Sequence, residues 1–290
     1  MSSYLSNAAI PTLNELARCI DCMTPLEGRE HCSTCNREYP RRDGITEACN
    51  PLRGRNRIVA AFYDGPGWLQ FRKWERLFLT LQGGTRRARM SILRHLDVPN
   101  RQSARVLEVG FGDGENLRFL PASWSVYGID IAQTQLAACF RRFPAMKGRL
   151  AWAEAESLPF PDGTFDASYS IGGFTYYEDH PSALREMRRV TRDDGPVVVA
   201  DEIPGLHRAG IGHLIGRPAI DAFWLRQLGL DREFIDMVLR FNVDLPALAK
   251  DVWPEATRLP IWNRLGYCFV HPGLNSVKHS HPSRSLKELV

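Results

Sequence analysis

Short β-rich runs alternate with amphipathic stretches through most of this chain. Residues 104–109 (A-R-V-L-E-V), 125–129, 149–153, 165–170 and 197–200 read as strands, several of them apolar throughout, as strands buried on both faces are. Between them, 115–120, 133–143 and 182–190 read as helical, the last through Leu184, Met187 and Val190 at three-residue spacing. Parallel pairing needs crossover connections, so the alternation predicts a doubly wound α/β sheet. Such sheets take ligands at the carboxyl ends of their strands. Upstream, 57–96 reads as helical and basic, with Trp68, Phe71, Trp74, Leu77, Phe78 and Leu81 at three- and four-residue intervals, a stripe expected to pack against the core. The alternation breaks over about 205–254, where Phe223, Trp224, Leu225, Phe234 and Trp253 point to a helical cap insertion. Residues 256–262 and 267–271 then supply an antiparallel pair that finishes the sheet, and 276–290 reads as a flexible tail.

The cysteines separate a small module, 15–48, from the remainder, 55–275. Cys19, Cys22, Cys32 and Cys35 fall within 17 residues as C-I-D-C, a nine-residue spacer, then C-S-T-C. Two C-x-x-C turns bring four thiolates to one ion in the tetrahedral geometry of structural zinc. Two disulfides or unrelated free thiols are the alternatives, and the lack of a secretory signal disfavours disulfides. Cys49, Cys139 and Cys268 stand alone, as small buried hydrophobes often do.

Composition changes this picture little. Of 290 residues 44% are hydrophobic and 24% charged, near globular averages, which excludes a disordered chain or a coiled-coil rod. The net charge of +4 does not demand a polyanionic partner. No apolar window of about 18 residues is present, and the first basic residue is Arg18, so neither a membrane span nor a signal peptide is expected and the location expected is cytoplasmic. Composition leaves the oligomeric state open.

The chemistry centres on V-L-E-V-G-F-G-D-G, residues 106–114, with Asp130 twenty residues beyond Gly110 at a strand end. Glycines let a backbone approach a ligand, and the distant carboxylate suits a ribose diol. A dinucleotide fingerprint would read G-x-G-x-x-G, whereas Gly110, Gly112 and Gly114 are evenly spaced and Glu108 lies inside the strand. A carboxylate there repels a pyrophosphate but suits the ammonium and sulfonium of S-adenosylmethionine.

Over 106–204 the sequence resembles the class I S-adenosylmethionine-dependent methyltransferases, in particular the ubiquinone and menaquinone C-methyltransferase group. The glycine motif, Y-G-I-D at 127–130, A-E-A-E-S-L-P-F-P-D-G-T-F-D at 153–166 and L-R-E-M-R-R-V-T-R-D-D-G at 184–195 carry the resemblance. It implies a seven-stranded Rossmann-like sheet, Gly110 and Gly112 beneath the methionine portion of the cofactor, Asp130 on the ribose and Ile131 on adenine. Glu154 with the Ala155 amide would address the adenine edge, and Tyr63, in A-A-F-Y-D, would close over the cofactor as a lid. Its alternative is a core residue under the first helix. Two departures stand out, Glu154 where Asp is usual and Gly195-Pro196 where the family has Gly-Gly. The cysteine module, with Pro25-Leu26 and Y-P-R-R-D-G-I at 39–45, resembles Trm112-like zinc ribbons, departing at Arg41.

The resemblance implies transfer of a methyl group to carbon, oxygen or nitrogen, with a general base optional. Asp201, Glu202, His207 and His213 lie where an acceptor should bind, and Asp201 and His207 are the catalytic candidates. The apolar cap favours a small aromatic or lipophilic acceptor. Two other readings stay open. A ribosomal RNA base methyltransferase would use the ribbon and Arg53, Arg55 and Arg57 to guide RNA, and nucleic acid is the disfavoured partner. A non-enzymatic scaffold would leave the glycine motif and Asp130 unexplained.

Overall fold

The computed structural model describes residues 10–98, 102–203 and 211–273. His207, the side chain of His213 and the tail 276–290 lie outside the described residues.

Apolar runs become the centre of one mixed sheet. Its strands are β1 (Arg41–Arg42), β2 (Ile45–Glu47), β3 (Arg105–Val109), β4 (Ser125–Asp130), β5 (Leu150–Trp152), β6 (Ala167–Ile171), β7 (Val197–Glu202), β8 (Thr257–Ile261) and β9 (Gly266–His271). Their spatial order is β1-β2-β5-β4-β3-β6-β7-β9-β8. From β5 to β7 the pairing is parallel, and β9 inserts antiparallel between β7 and β8. Every residue of β6 is buried, as is all of β7 except Glu202, so helices cover both faces. Strand order reverses around β3, and a crevice opens there at the carboxyl ends.

Among the described residues the sheet has nine strands rather than the seven expected. The extra pair comes from the cysteine module, where Asp43 and Gly44 turn β1 into β2 with positive φ at both residues, a hairpin geometry. Strand β2 then runs parallel to β5 in the register Ile45 to Leu150, and the amide of Ala48 donates to the Trp152 carbonyl at 2.9 Å. Leu13, Ala17, Leu26 and Tyr39 share one buried cluster with Leu107, Tyr127 and Ile129, and the Tyr127 hydroxyl donates to the Pro11 carbonyl at 2.6 Å.

Ten helices surround the sheet among the described residues: α1 (Leu13–Leu16), α2 (Gly54–Asp64), α3 (Pro66–Leu81), α4 (Thr85–Leu93), α5 (Gln133–Arg142), α6 (His180–Val190), α7 (Ile211–Leu214), α8 (Pro218–Gln227), α9 (Arg232–Arg240) and α10 (Leu245–Val252). Aspartates start three of them: Asp179, Asp231 and Asp244 accept the amides of Ser182, Phe234 and Ala247. The predicted helical stretch 57–96 is broken by Gly65-Pro66 and Gly83-Gly84 into α2, α3 and α4. The stretch 115–120 closes as a 3₁₀ helix, Glu115–Phe119. Pro196 precedes β7 without disturbing it, and its carbonyl accepts the Ser168 amide at 3.3 Å. The aromatic stripe of α3 divides: Trp68 and Phe71 pack inward with Phe62, while Trp74, Leu77 and Leu81 are exposed. Helix α9 lies on α2 through Phe62 and Phe234, whose rings are 4.3 Å apart.

The loop after β3 is held by a close approach. The Phe111 ring lies directly on the backbone of Gly128, where an added Cβ would fall 2.2 Å from it. Gly128→Ala should therefore cost about 1 to 3 kcal/mol through overpacking. A urea midpoint equal to that of the parent would mean that Phe111 has room to move.

Candidate functional site

Strand β3 ends in a loop whose shape is fixed from β4. The Asp130 carboxylate accepts the Gly112 amide at 2.7 Å through Oδ2 and the Ala132 amide at 2.8 Å through Oδ1. Gly112 has φ +57 with nothing within 4 Å of where a Cβ would stand, so the loop presents open backbone. A cavity of about 430 Å³ lies above it, lined by Tyr63, Glu108, Gly110, Gly112, Asp130 and Ile131, which the sequence had singled out. Trp68, Arg72, Gly172, Gly173, Tyr176 and Tyr177 complete much of the wall.

Glu108 is 1% exposed at the cavity floor. It accepts the Asn116 side-chain amide at 2.6 Å and the Tyr169 hydroxyl at 2.7 Å. Burial outweighs those bonds and pushes its carboxyl up to about 7, and burial likewise raises Asp130 to about 6. With its NH₂ on Glu108, Asn116 keeps a buried Oδ1 that no described residue satisfies. The floor is therefore an array of acceptors matched to a cationic, hydrogen-donating group. The nearby cations are largely engaged: Arg72 and Arg142 both bind Asp113, and Arg89 binds Glu75.

A second cavity, about 240 Å³, adjoins the first and is mainly aromatic. Tyr63, Trp68, Leu79, Gly172 and Tyr176 line both, and Phe71, Trp74, Phe78, Phe234 and Trp262 belong to the second alone. Its charged lining residues are Glu75, Arg89, Asp201 and Glu202. Asp201, 2% exposed, is occupied by the amides of Thr175 at 2.7 Å and Glu202 at 2.8 Å, and burial followed by the Glu202 charge raises it to about 7. Glu202 instead accepts the Tyr176 hydroxyl at 2.8 Å.

Three predicted positions fall outside both walls. Gly114 backs the loop, where a Cβ would stand 2.8 Å from the Cys139 sulfur. Glu154 takes the Asn56 side-chain amide at 3.0 Å, and Ala155 is buried beside it. Tyr63 sits in the wall between the cavities, its ring 4.6 Å from that of Trp68. The residues that sequence reasoning missed have a signal in G-G-F-T-Y-Y, 172–177: a glycine pair directly after β6, at the carboxyl edge, followed by two tyrosines.

The four cysteines meet within the small N-terminal module. Each C-x-x-C turn folds alike: the amides of Met23 and Asn36 return to the carbonyls of Cys19 and Cys32, both at 3.0 Å, with positive φ at Met23 and Asn36. All four sulfurs lie within 4.8 Å of one another, and Cys22–Cys32, Cys19–Cys35 and Cys22–Cys35 are 3.3, 3.5 and 3.6 Å apart. These are free thiols, arranged as one metal-ion site would require. Cys49, Cys139 and Cys268 lie elsewhere.

Residues 107–199, from within β3 to within β7, match the family model described as a methyltransferase domain. The chain is 34% identical over 113 residues to the malonyl-[acyl-carrier protein] O-methyltransferase of Halorhodospira halophila, which covers 38% of each protein. It is 35% identical over 105 residues to the demethylmenaquinone methyltransferase of Thermus thermophilus, covering 34% of this chain and 48% of that one. The chain thus spans between about two fifths and half of the length of these curated relatives. A SAM dependent methyltransferase from Aquifex aeolicus aligns in structure with a TM-score of 0.42 at 15% identity, over 76% of this chain and 97% of that one. The match spans about a third of the chain, and the matched span holds Glu108, the glycine loop and Asp130.

The Glu108 carboxyl titrates near 7 in the fold against an ordinary value of 4.5. The folded state therefore favours its protonated form, and stability falls as pH rises from about 4.5 through 7, by up to about 3 kcal/mol from this group. Glu108→Gln retains an acceptor for Asn116 or Tyr169 without the charge. The variant's melting temperature should gain on the parent's between pH 5 and 8. A constant difference across that range would mean that Glu108 is already ionised at pH 5.

Proposed function

We propose that the chain binds S-adenosylmethionine in the larger cavity and transfers its methyl group to a small apolar acceptor held in the aromatic one. The observation that carries this reading is the shared wall: the two cavities meet at Tyr63, Gly172 and Tyr176, directly beyond the glycine loop. S-adenosylmethionine supplies a methyl group on a sulfonium, an electrophile that needs no further activation. The protein's contribution is then to bind, orient and exclude water.

The residues fit that cofactor. Asp130 spends one lone pair of each oxygen on a backbone amide, leaving the others for a ribose diol. Glu108 and the unsatisfied Asn116 Oδ1 suit an ammonium group, and each positive charge brought near Glu108 favours its ionised form. Ile131 offers an apolar face for adenine, whereas Glu154 and Ala155 lie off the cavity and are withdrawn from that role. Where the acceptor carries a hydroxyl, Asp201 and Glu202 of the aromatic cavity are the candidate bases. The curated relatives are named for small or carrier-bound acceptors, which supports a small-molecule acceptor here over ribosomal RNA. Trp224 is 62% exposed and outside the aromatic cavity, so the cap contributes through Phe234 and Leu230 instead.

At the cysteine cluster we propose one structural zinc. Tetrahedral thiolates at about 2.3 Å from zinc stand about 3.8 Å apart, near the sulfur separations observed. Four thiolates leave no open coordination position, so the ion would hold the module rather than catalyse.

Asp130→Ala should weaken S-adenosylmethionine binding by about 1.5 to 3 kcal/mol in calorimetry, the range for hydrogen bonds to a charged group. Phe78→Ala should leave that affinity alone and raise the KM for prenylated quinol or phenol acceptors. Unchanged cofactor affinity in the Asp130 variant, or preference for a nicotinamide dinucleotide, would remove the methyltransferase reading.

Metal analysis of the purified chain should find about one zinc per molecule, lost on changing Cys22 or Cys35 to Ser. Metal-free protein with an unchanged melting temperature would leave the four thiols without that role.

A further inference from the structure

The outer face of α3 has a composition that neither the core nor the cavities require. Leu69, Leu77 and Leu81 are 68%, 50% and 72% exposed and recur at about every second turn or closer, with Lys73 in the same stripe. Trp74, 47% exposed, lies beside them. Residues 66–94 contain seven Lys or Arg and a single acid, Glu75, a net +6, so the rest of the chain carries −2. Two of those cations turn inward, Arg72 to Asp113 and Arg89 to Glu75. Lys73, Arg76, Arg86 and Arg87 remain exposed. Gln70 binds the Gln227 carbonyl at 2.6 Å, joining α3 to α8, which itself exposes Phe223 and Trp224.

We propose that this face docks on an anionic lipid bilayer. Leucine and tryptophan beside lysine and arginine on one exposed helix face is the pattern of interfacial binding, in which apolar side chains enter the acyl boundary and cations meet headgroups. A second copy would set +6 against +6 across a two-fold interface, which repels. RNA would use the arginines but gain nothing from exposed leucines. Trp74 also lines the aromatic cavity, so that cavity opens at the docking face. If the acceptor is lipophilic, as proposed above, it enters from the membrane without crossing water. The docking surface itself does not depend on that reading.

Flotation of the full chain with vesicles tests this directly. Binding is expected to phosphatidylcholine vesicles containing phosphatidylglycerol, to exceed binding to phosphatidylcholine alone, and to weaken with salt. Lys73→Gln with Arg86→Gln and Arg87→Gln should lower the partition about a hundredfold, at about fivefold per cation near an anionic surface. Leu69→Gln with Leu77→Gln and Leu81→Gln should lower it at least about tenfold. None of these six side chains lines either cavity, so the thermal melt and the affinity for S-adenosylmethionine serve as controls for folding. Failure to float with anionic vesicles overturns the proposal. So does salt-sensitive RNA binding that the leucine variant retains, or a concentration-dependent dimer that this variant abolishes.

Discussion

Two backbone amides converge on the Asp130 carboxylate, and the form of the large cavity follows from that convergence. The Gly112 bond ties the loop leaving β3 to the end of β4, and the Ala132 bond starts the approach to α5. Burial raises this carboxyl toward 6, so the amides offset a desolvation that would otherwise keep it neutral. With the loop pinned, Phe111 is pressed on Gly128 and the open side of Gly112 faces the cavity. Glu108, one step back along β3, is then held beneath that opening by Tyr169 and Asn116. One carboxylate at a strand end thus positions a loop, and the loop positions a second carboxylate.

The cysteine module solves a different problem, the exposed edge of a sheet. Strand β5 has three residues and would present unpaired amides and carbonyls to solvent. Pairing with β2 satisfies them and buries Ile45, while β1, only two residues long and made of two arginines, forms a short charged edge in its place. About thirty residues cannot build a core of their own. Here Leu13, Leu26 and Tyr39 share a cluster with Leu107, Tyr127 and Ile129, so the stability of module and sheet is mutual.

What the sequence made legible was local and periodic. Buried strands announce themselves as apolar runs, so β3, β4, β6 and β7 lie within about two residues of where the pattern puts them. The glycine loop and Asp130 are contiguous in sequence or one crossover apart, and they meet as expected. What stayed hidden depends on distant contacts. Glu154 is taken by Asn56, 98 residues away on α2, and no spacing rule reports that pairing. Strands β1 and β2 are too short and too polar to show a period. Alternation places Asp201 and Glu202 on opposite faces of β7, yet it does not say which hydroxyl or amide waits on each face. The stripe on α3 shows the same limit, since periodicity defines a face without saying whether core, cavity or solvent lies against it.

That helix joins the separate parts of the site. Turning through 3.6 residues per turn, α3 presents Trp68 and Arg72 to the larger cavity, Phe71 and Phe78 to the aromatic one, and Leu77 with Leu81 to the outside. Its first turn is locked where the backbones of Gly67 and Gly229 touch, leaving no space for a Cβ on either. Farther along, the Arg72 bond to Asp113 ties it to the glycine loop and the Glu75 bond to Arg89 ties it to α4. A rigid rod fixed at these points cannot shift one face alone. Whatever seats the outer stripe of α3 must therefore also set the walls of both cavities, and the wall that Tyr63 and Trp68 share between them is where such a displacement would be felt first.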